Sequence, residues 1–559
     1  MAGQTPPPAP QLPRRLPSPR QAFRLGAPGD IWHKPALSAV VTLAVLNFTL
    51  LGLGRLDLAL YTSAGGMTAL YGHGLPYRAR RRTLGAVAAG TLASTGLALT
   101  ASALTSSTAV LVAVCALLAA AHRTVCDAAR IGPPGSIIIT FTSASCAFVP
   151  QRPGDLPLHL ALTAAGAALA WLVGMAPALL RPHGPERIAV ARALEAAARL
   201  LHSDPQQRPR ARTALVGAVD AARHTLALAA PTGGRPGSGP GLAELLIRGE
   251  SALAAPATAG TGQAERYQGW ARELRRGRPL PDVGPLSPAE AAELRGAGDR
   301  PVRQRGGIRQ ALRRGSALPP IGLRVALGCA AAGWLSMGFG VGRPYWAVVT
   351  AASVFQANSA LSWQRALQRV LGNVLGLVLF TALLPVSRAG LLALVLLGLL
   401  CQFGAEATIA RNYWLAGIFV TPMALLMTEF AGYHPVGQMV AYRWLDTCIG
   451  ALAGLAACLL VTNRRTATRL ERALAAVGDS ASAVEPAAGG GPAGRRRLAH
   501  DLVELREAAD TAAGEWWQRA LPHGRVAHVE HEGHLLLAAL VEQRGAEGSR
   551  RPEGVPAAL

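Results

Sequence analysis

The stretch Arg343–Gly376, RPYWAVVTAASVFQANSALSWQRALQRVLGNVLG, decides how the rest of the chain is read. It opens on an aromatic pair, Tyr345 and Trp346, amphipathic rings of the kind that favour the boundary between hydrocarbon and water. An uncharged Ala/Val/Ser-rich run follows to Asn358, so Tyr345–Leu361 reads as a membrane span. A short basic turn then leads into a glycine-spaced apolar helix, Val370–Val386. Arg365, Gln368, Arg369, Gly372 and Gly376 stand three and four residues apart and share one helical face. Two arginines one turn apart thus sit at a membrane boundary, above a G-x-x-x-G seam that lets a second helix approach closely. One reading makes them boundary arginines whose heads snorkel to lipid phosphates. The other makes them an anion site at the mouth of a transport pathway.

A fainter copy lies in the first half of the chain. A shift of 287 brings Arg365, Arg369, Leu371 and Gly372 onto Arg78, Arg82, Leu84 and Gly85. The likeness resumes behind the last span of each half, where Arg192-Ala193-Leu194 answers Arg472-Ala473-Leu474. Internal repeats of this kind suggest a two-halved transporter.

Composition agrees with a membrane assignment. The chain has 559 residues, 50% of them hydrophobic, with a mean hydropathy of +0.27, high for a soluble protein. Its net charge of +23 comes almost wholly from arginine, since Lys34 is its one lysine. The arginines fall mostly outside the apolar runs, and no recognition motif accompanies them, which argues against nucleic-acid binding. The seven cysteines lie in or beside apolar runs without a C-x-x-C pair, as small hydrophobic residues rather than a disulfide framework.

Residues 1–30, rich in Pro and Arg, read as a disordered tail. Ala36–Leu53 is longer than the apolar core of a signal peptide and reads as the first span. The first half, 31–182, continues with Asp57–Leu75, Leu84–Leu104, Ala109–Ala121, Ser136–Val149 and Leu158–Leu180. The second half, 319–463, holds Ile321–Gly342, Tyr345–Leu361, Val370–Val386, Gly390–Phe403, Tyr413–Phe430 and Trp444–Thr462. The expected fold is therefore an all-α polytopic membrane protein of two repeated halves, about six transmembrane helices each, with a helical cytoplasmic region after each half. Arginine-rich loops (Arg78–Arg82, Arg123–Arg130, Arg181) alternate with nearly bare ones (Ala101–Thr108, Pro150–Pro157). The positive-inside rule then places both termini in the cytoplasm and gives the halves the same orientation.

The connector 183–318 carries apolar stripes at helical spacing in Pro185–Ser203, Arg208–Ala230, Leu242–Ala255 and Gln263–Arg276. The region 464–559 repeats the theme in Thr466–Val477, Arg495–Trp517 and Val526–Gln543. His528, His531 and His534 recur every third residue, but H-E-x-H is one residue short of the zinc-protease spacing, and a solvated helix face explains them better. No phosphate-binding G-x-x-x-x-G-K-[ST] occurs, and no nucleophile–base or metal constellation emerges. The expectation is a non-enzyme without metal or other cofactor.

Several motifs carry a family resemblance. Arg343-Pro344-Tyr345-Trp346-Ala347, with Gln368-Arg369-Val370-Leu371-Gly372-Asn373-Val374-Leu375-Gly376, resembles the central signature of the fusaric acid resistance family. Asn412-Tyr413, Phe419-Val420-Thr421-Pro422 and Arg443-Trp444-Leu445-Asp446-Thr447-Cys448-Ile449-Gly450 look like its later membrane motifs. The likeness covers roughly 321–462. Asn373 stands where the family usually has Thr, and the first half lacks the Tyr-Trp pair. The resemblance implies a multi-pass protein of a bacterial plasma membrane that exports aromatic or other weak carboxylic acids. It also implies the lipid bilayer, a second copy or an accessory efflux subunit as partners. An organic-anion channel or a membrane scaffold is the alternative.

An organic anion crossing a bilayer needs positive charge near its path and, if aromatic, stacking surfaces. Candidates for charge are Arg343, Arg365, Arg369 and Arg443; for surface, Tyr345, Trp346 and Tyr413; for polar contact, Asn358, Asn412 and Thr421, the last ahead of a proline that frees a backbone carbonyl. Glu406, Glu429 and Asp446 are candidate proton carriers.

Overall fold

The computed structural model describes residues 19–230, 240–255, 261–284, 286–296, 318–430, 435–462, 465–484, 491–516 and 522–549, and among them contains helices and no strand. The first apolar set comprises α1 His33–Gly52, α2 Ala59–Gly66, α3 Tyr77–Leu104, α4 Thr108–Ala128, α5 Ile137–Ala147 and α6 Leu156–Met175. After the connector helices α7 Gly184–Leu201, α8 Arg208–Ala229, α9 Pro240–Glu250, α10 Thr261–Arg276 and α11 Pro288–Gly296 comes the second set. It comprises α12 Leu318–Gly338, α13 Tyr345–Val354, α14 Ser359–Ser387, α15 Leu391–Ile409, α16 Tyr413–Glu429 and α17 Val436–Leu460. The chain ends in α18 Arg465–Ser482, α19 Pro492–Ala513 and α20 His523–Ser549.

Among the described residues, eight helices are long and apolar enough to cross a membrane: α1, α3, α4, α6, α12, α14, α15 and α17. On α1 the outward residues Leu37, Val41, Val45 and Phe48 are exposed while Ala36, Ala39, Leu43 and Leu50 are buried. An apolar stripe facing outward is what lipid requires of a polytopic all-α membrane protein. The remaining elements are short, and they fall second and fifth in each set. In each set, too, the second element packs on the sixth and the third on the fifth. Small residues allow the first of these contacts: Gly65 and Gly166 lie against the carbonyls of Thr163 and Thr62 across α2 and α6.

Two expected spans differ in detail. Tyr345–Leu361 is not one helix: α13 ends at Val354, and its ten residues reach about 15 Å, half a hydrocarbon core. The expected basic turn is instead the start of α14, whose first turn is closed by Asn358, its Oδ1 accepting from the Leu361 amide at 2.9 Å.

The connector and the C-terminal helices share one hydrophobic core, with Leu194, Leu215, Leu245 and Leu274 against Leu470, Leu498, Leu505 and Leu537. The helix ranges agree with the apolar spacing to within a few residues, because each stripe has only one face to bury. A buried charge cluster joins the parts: Arg223 and Arg544 reach Glu250 at 2.7 and 2.9 Å, and Arg495 reaches Glu293 at 2.5 Å. This bundle abuts one face of the apolar helices. Arg78 at the start of α3 donates to the Ala230 carbonyl at 2.6 Å, and Ser359 at the start of α14 donates to Glu515 at 2.5 Å.

Candidate functional site

The site is built where α13, α14, α16 and α17 converge. Gly372 and Gly376 on α14 face α16, as their spacing implied. A Cβ at Gly372 would lie 2.6 Å from the Trp414 carbonyl oxygen and 3.0 Å from the Gly417 Cα. One at Gly376 would lie 2.7 Å from the Thr421 Cβ, so only glycine permits this crossing. Close approach brings Tyr413 of α16 onto the arginines one and two turns earlier on α14. The Arg365 guanidinium lies 3.9 Å from the Tyr413 ring centroid and 3.5 Å from the Gln356 Oε1. Arg369, buried, donates to the Tyr413 hydroxyl at 3.2 Å and leaves its Nε without a partner. Asn373 accepts from Thr421 at 3.3 Å, while its Nδ2 is unpartnered.

Deeper lies Arg443 of α17, 1% exposed, its guanidinium 3.8 Å above the Trp346 ring. All three of its nitrogens lack hydrogen-bond partners. Its electrostatic neighbours are Arg369, Tyr345, Asp446 and Tyr413. Asp446, one turn along and fully buried, accepts from Ser336 at 2.5 Å through one oxygen and leaves the other unpartnered. Stacking on Trp346 contributes up to about 2 kcal/mol. Each unmade hydrogen bond of a buried group costs about 1–3 kcal/mol, more for a charge. The balance leaves a desolvated cation with the Asp446 carboxyl among its neighbours and no hydrogen bond to it.

Tyr345 and Trp346 do not mark a water boundary. They are 7% and 2% exposed and pack with Phe148 and Phe141 of the first set at 5.5 and 5.7 Å. Burial wins over interfacial preference because Trp346 covers Arg443. Arg343 lies beside the Tyr345 hydroxyl. Asn358 and Asn412 are helix caps, and Asn412 also binds the N-terminal segment. Glu406 faces Gln402 at 3.3 Å, and Glu429 is 2% exposed with both oxygens unpartnered; neither touches the arginine line.

The first half has no matching line. Arg82 is exposed and Arg78 faces the bundle, while Arg80 is buried and donates to the Gly72, Gly174 and His73 carbonyls at 2.8, 3.0 and 2.6 Å. Sequence reasoning missed Ser336, although it is the one hydroxyl side chain of α12 and so the natural partner for a buried carboxylate. In α20, His528 pairs with Glu532 at 3.1 Å and His534 faces Thr213 at 3.3 Å, so the histidine row does not converge.

Residues 328–457 match the family model described as fusaric acid resistance protein-like. The segment is similar to that family. It contains every arginine of the line, and also Tyr345, Trp346, Tyr413 and Asp446. Over 225 residues the chain is 31% identical to the uncharacterized membrane protein YvaC of Bacillus subtilis (strain 168), covering 38% of this chain and 34% of that one. The chain thus spans about a third of the length of the curated relative it matches. No solved structure matches. The matched segment and the apolar helices together describe a multi-pass membrane protein.

Proposed function

We propose that this protein carries small organic anions, aromatic or weak carboxylic acids, out of the cell across the plasma membrane. The observation that carries this reading is Arg443, a fully buried guanidinium without a hydrogen-bond partner, stacked on Trp346 beside Tyr345. A carboxylate matches the planar fork of arginine, and an aromatic acid would also use the rings. Arg365 and Arg369 lead toward it from the face that carries the bundle. We assign that face to the cytoplasm, because the arginine-rich loops lie there. An inside-negative potential drives an anion outward, at about 2.3 kcal/mol per charge per 100 mV.

Among the three carboxylates, Asp446 is the one placed to respond to protons. Its facing groups are Arg443 on its own helix, Ser336 on α12 and Tyr345 at the start of α13, with Arg369 on α14 acting on Arg443. An anion on Arg443 leaves Asp446 uncompensated, so anion and proton reinforce each other. The duplicated architecture is an internal parallel repeat in this reading, with one substrate site, in the second half.

Purified protein in liposomes, with potential and pH gradient set independently, tests the proposal using labelled benzoate. Saturable flux that follows the potential supports a carrier, and non-saturating flux favours a channel. Absence of both flux and benzoate binding would leave a scaffold. Reporter fusions at Gly184 and Gly491 should read cytoplasm, and one at Gly154 the outside.

A further inference from the structure

The N-terminal segment is joined to the arginine line more closely than its composition suggests. Residues 19–30 cross the notch between the starts of α14 and α16. Three successive carbonyls of the segment accept side chains from those helices. Ala22 accepts from Gln368 at 2.8 Å and from Asn412 at 3.0 Å, Phe23 from the Trp414 indole at 3.4 Å, and Arg24 from Asn412 at 2.9 Å. The Gly26 amide then donates to the Arg411 carbonyl at 2.8 Å, and a Cβ at Gly26 would press on that same oxygen at 3.2 Å. Ala22 is 1% exposed, so the segment is seated in the notch rather than laid over it.

The donors occupy telling positions. Gln368 stands between Arg365 and Arg369 on α14, and Asn412 and Trp414 flank Tyr413, which holds both arginines. The far end of the segment is tied elsewhere. Asp30 meets Arg192 of α7 at 2.7 and 3.0 Å and Arg275 of α10 at 2.9 Å. Arg275 in turn holds Glu195 at 2.6 Å. Hydrogen bonds from the Arg192 guanidinium, and then from Arg275, hold the Asp30 carboxyl down at about 2. This anchor therefore stays charged through the physiological range. One end of the strap rests on the membrane helices and the other on the bundle.

We propose that residues 19–30 are a strap closing the bundle-side mouth of the arginine line, and that the bundle, through Asp30, sets whether it is seated. The proposal rests on the transport reading for its consequence but not for its geometry. Every bond to α14 and α16 uses the strap's backbone, so the seal tolerates sequence change and can be broken one bond at a time. Each such bond shifts the seating equilibrium only about fivefold, within reach of a modest movement of the bundle. With the strap seated, Gln368 and Asn412 are turned to its carbonyls rather than to an entering anion.

The test has two readouts. In an Ala22→Cys/Gln368→Cys pair, oxidation should lower benzoate flux at least tenfold, and reductant should restore it, with the Gln368→Cys single variant as control. Independently of transport, a cysteine at the mouth reports access to a membrane-impermeant thiol reagent. Tyr413→Cys and, as a second position, Gln356→Cys serve, against the background of the native cysteines. Labelling should be slow in the full chain, and several-fold faster after deletion of residues 1–29 or with Asp30→Asn. Equal labelling with and without the strap overturns the proposal, whatever the flux measurements show. Strap-dependent labelling in a protein that does not move benzoate keeps the strap as a lid and removes the transport reading instead.

Discussion

Replacing Arg443 with methionine, together with Asp446→Asn, should make the protein more stable and unable to bind an organic anion. The side chain is 1% exposed, its three nitrogens have no hydrogen-bond partner, and it stacks on the face of Trp346 with the Asp446 carboxyl among its neighbours. Methionine keeps most of the volume against the ring and removes the desolvated charge. Replacing both members of a buried ion pair with uncharged residues of similar size stabilises by about 1–4 kcal/mol, and the same range is expected for Arg443→Met combined with Asp446→Asn. Arg80 supplies the internal control, being as deeply buried but bonded to three carbonyls. Arg80→Met takes the donor from those carbonyls, of which Gly72 keeps the Leu75 amide, and should destabilise by about 1–3 kcal/mol. The assay is thermal unfolding in detergent, with and without benzoate. At a concentration one hundred times its Kd, benzoate should stabilise the natural protein by about 2.7 kcal/mol and leave the double variant unmoved. A lower midpoint for the double variant, with the benzoate effect retained, would refute the argument, since it would make Arg443 a structural group.

Further outcomes follow from neighbouring contacts. Benzoate binding to the natural protein should weaken as pH rises, by up to tenfold per unit, and Asp446→Asn should flatten that dependence in an isothermal titration series. Arg369→Lys keeps the charge but loses the fork that reaches Tyr413, so flux per inserted protein should fall partly, and further in Arg369→Gln. Gly372→Val places a side chain against the α16 backbone and should cost about 1–3 kcal/mol together with flux, whereas Gly398→Ala, facing open space, should change neither. In the bundle, hydrogen bonds to Asp220 and then Glu504 push the His500 imidazole up to about 10. A raised value stabilises fully below the unfolded pKa of about 6.5 and is lost as pH climbs through about 10. The natural protein should therefore lose more thermal stability between those limits than His500→Gln.

What the sequence disclosed, and what it concealed, follow from the range of the forces involved. Apolar runs and helical stripes announce themselves within a window of a dozen residues, so the eight helices long enough to span and the seven longer bundle helices could be read directly, whereas four of the twelve expected spans are shorter helices. The face shared by Arg365, Arg369, Gly372 and Gly376 was equally legible, because helical spacing alone sets it. The break after Val354 was harder, since neither Gly nor Pro marks it. Its signal is Asn358, whose extended backbone and side-chain cap start a new helix. Trp346 was misplaced at a boundary because its environment is decided by Arg443, far along the chain. The strap was hidden for a different reason: it binds through carbonyls, which every residue carries, under a Pro- and Arg-rich composition that reads as disorder. Arginines 80 and 443 show the same limit. Both look like basic residues beside an apolar run, and both end up buried. Only the hydrogen-bond partners differ, three carbonyls in one case and none in the other, and on the transport reading that difference separates a structural arginine from one that takes a ligand.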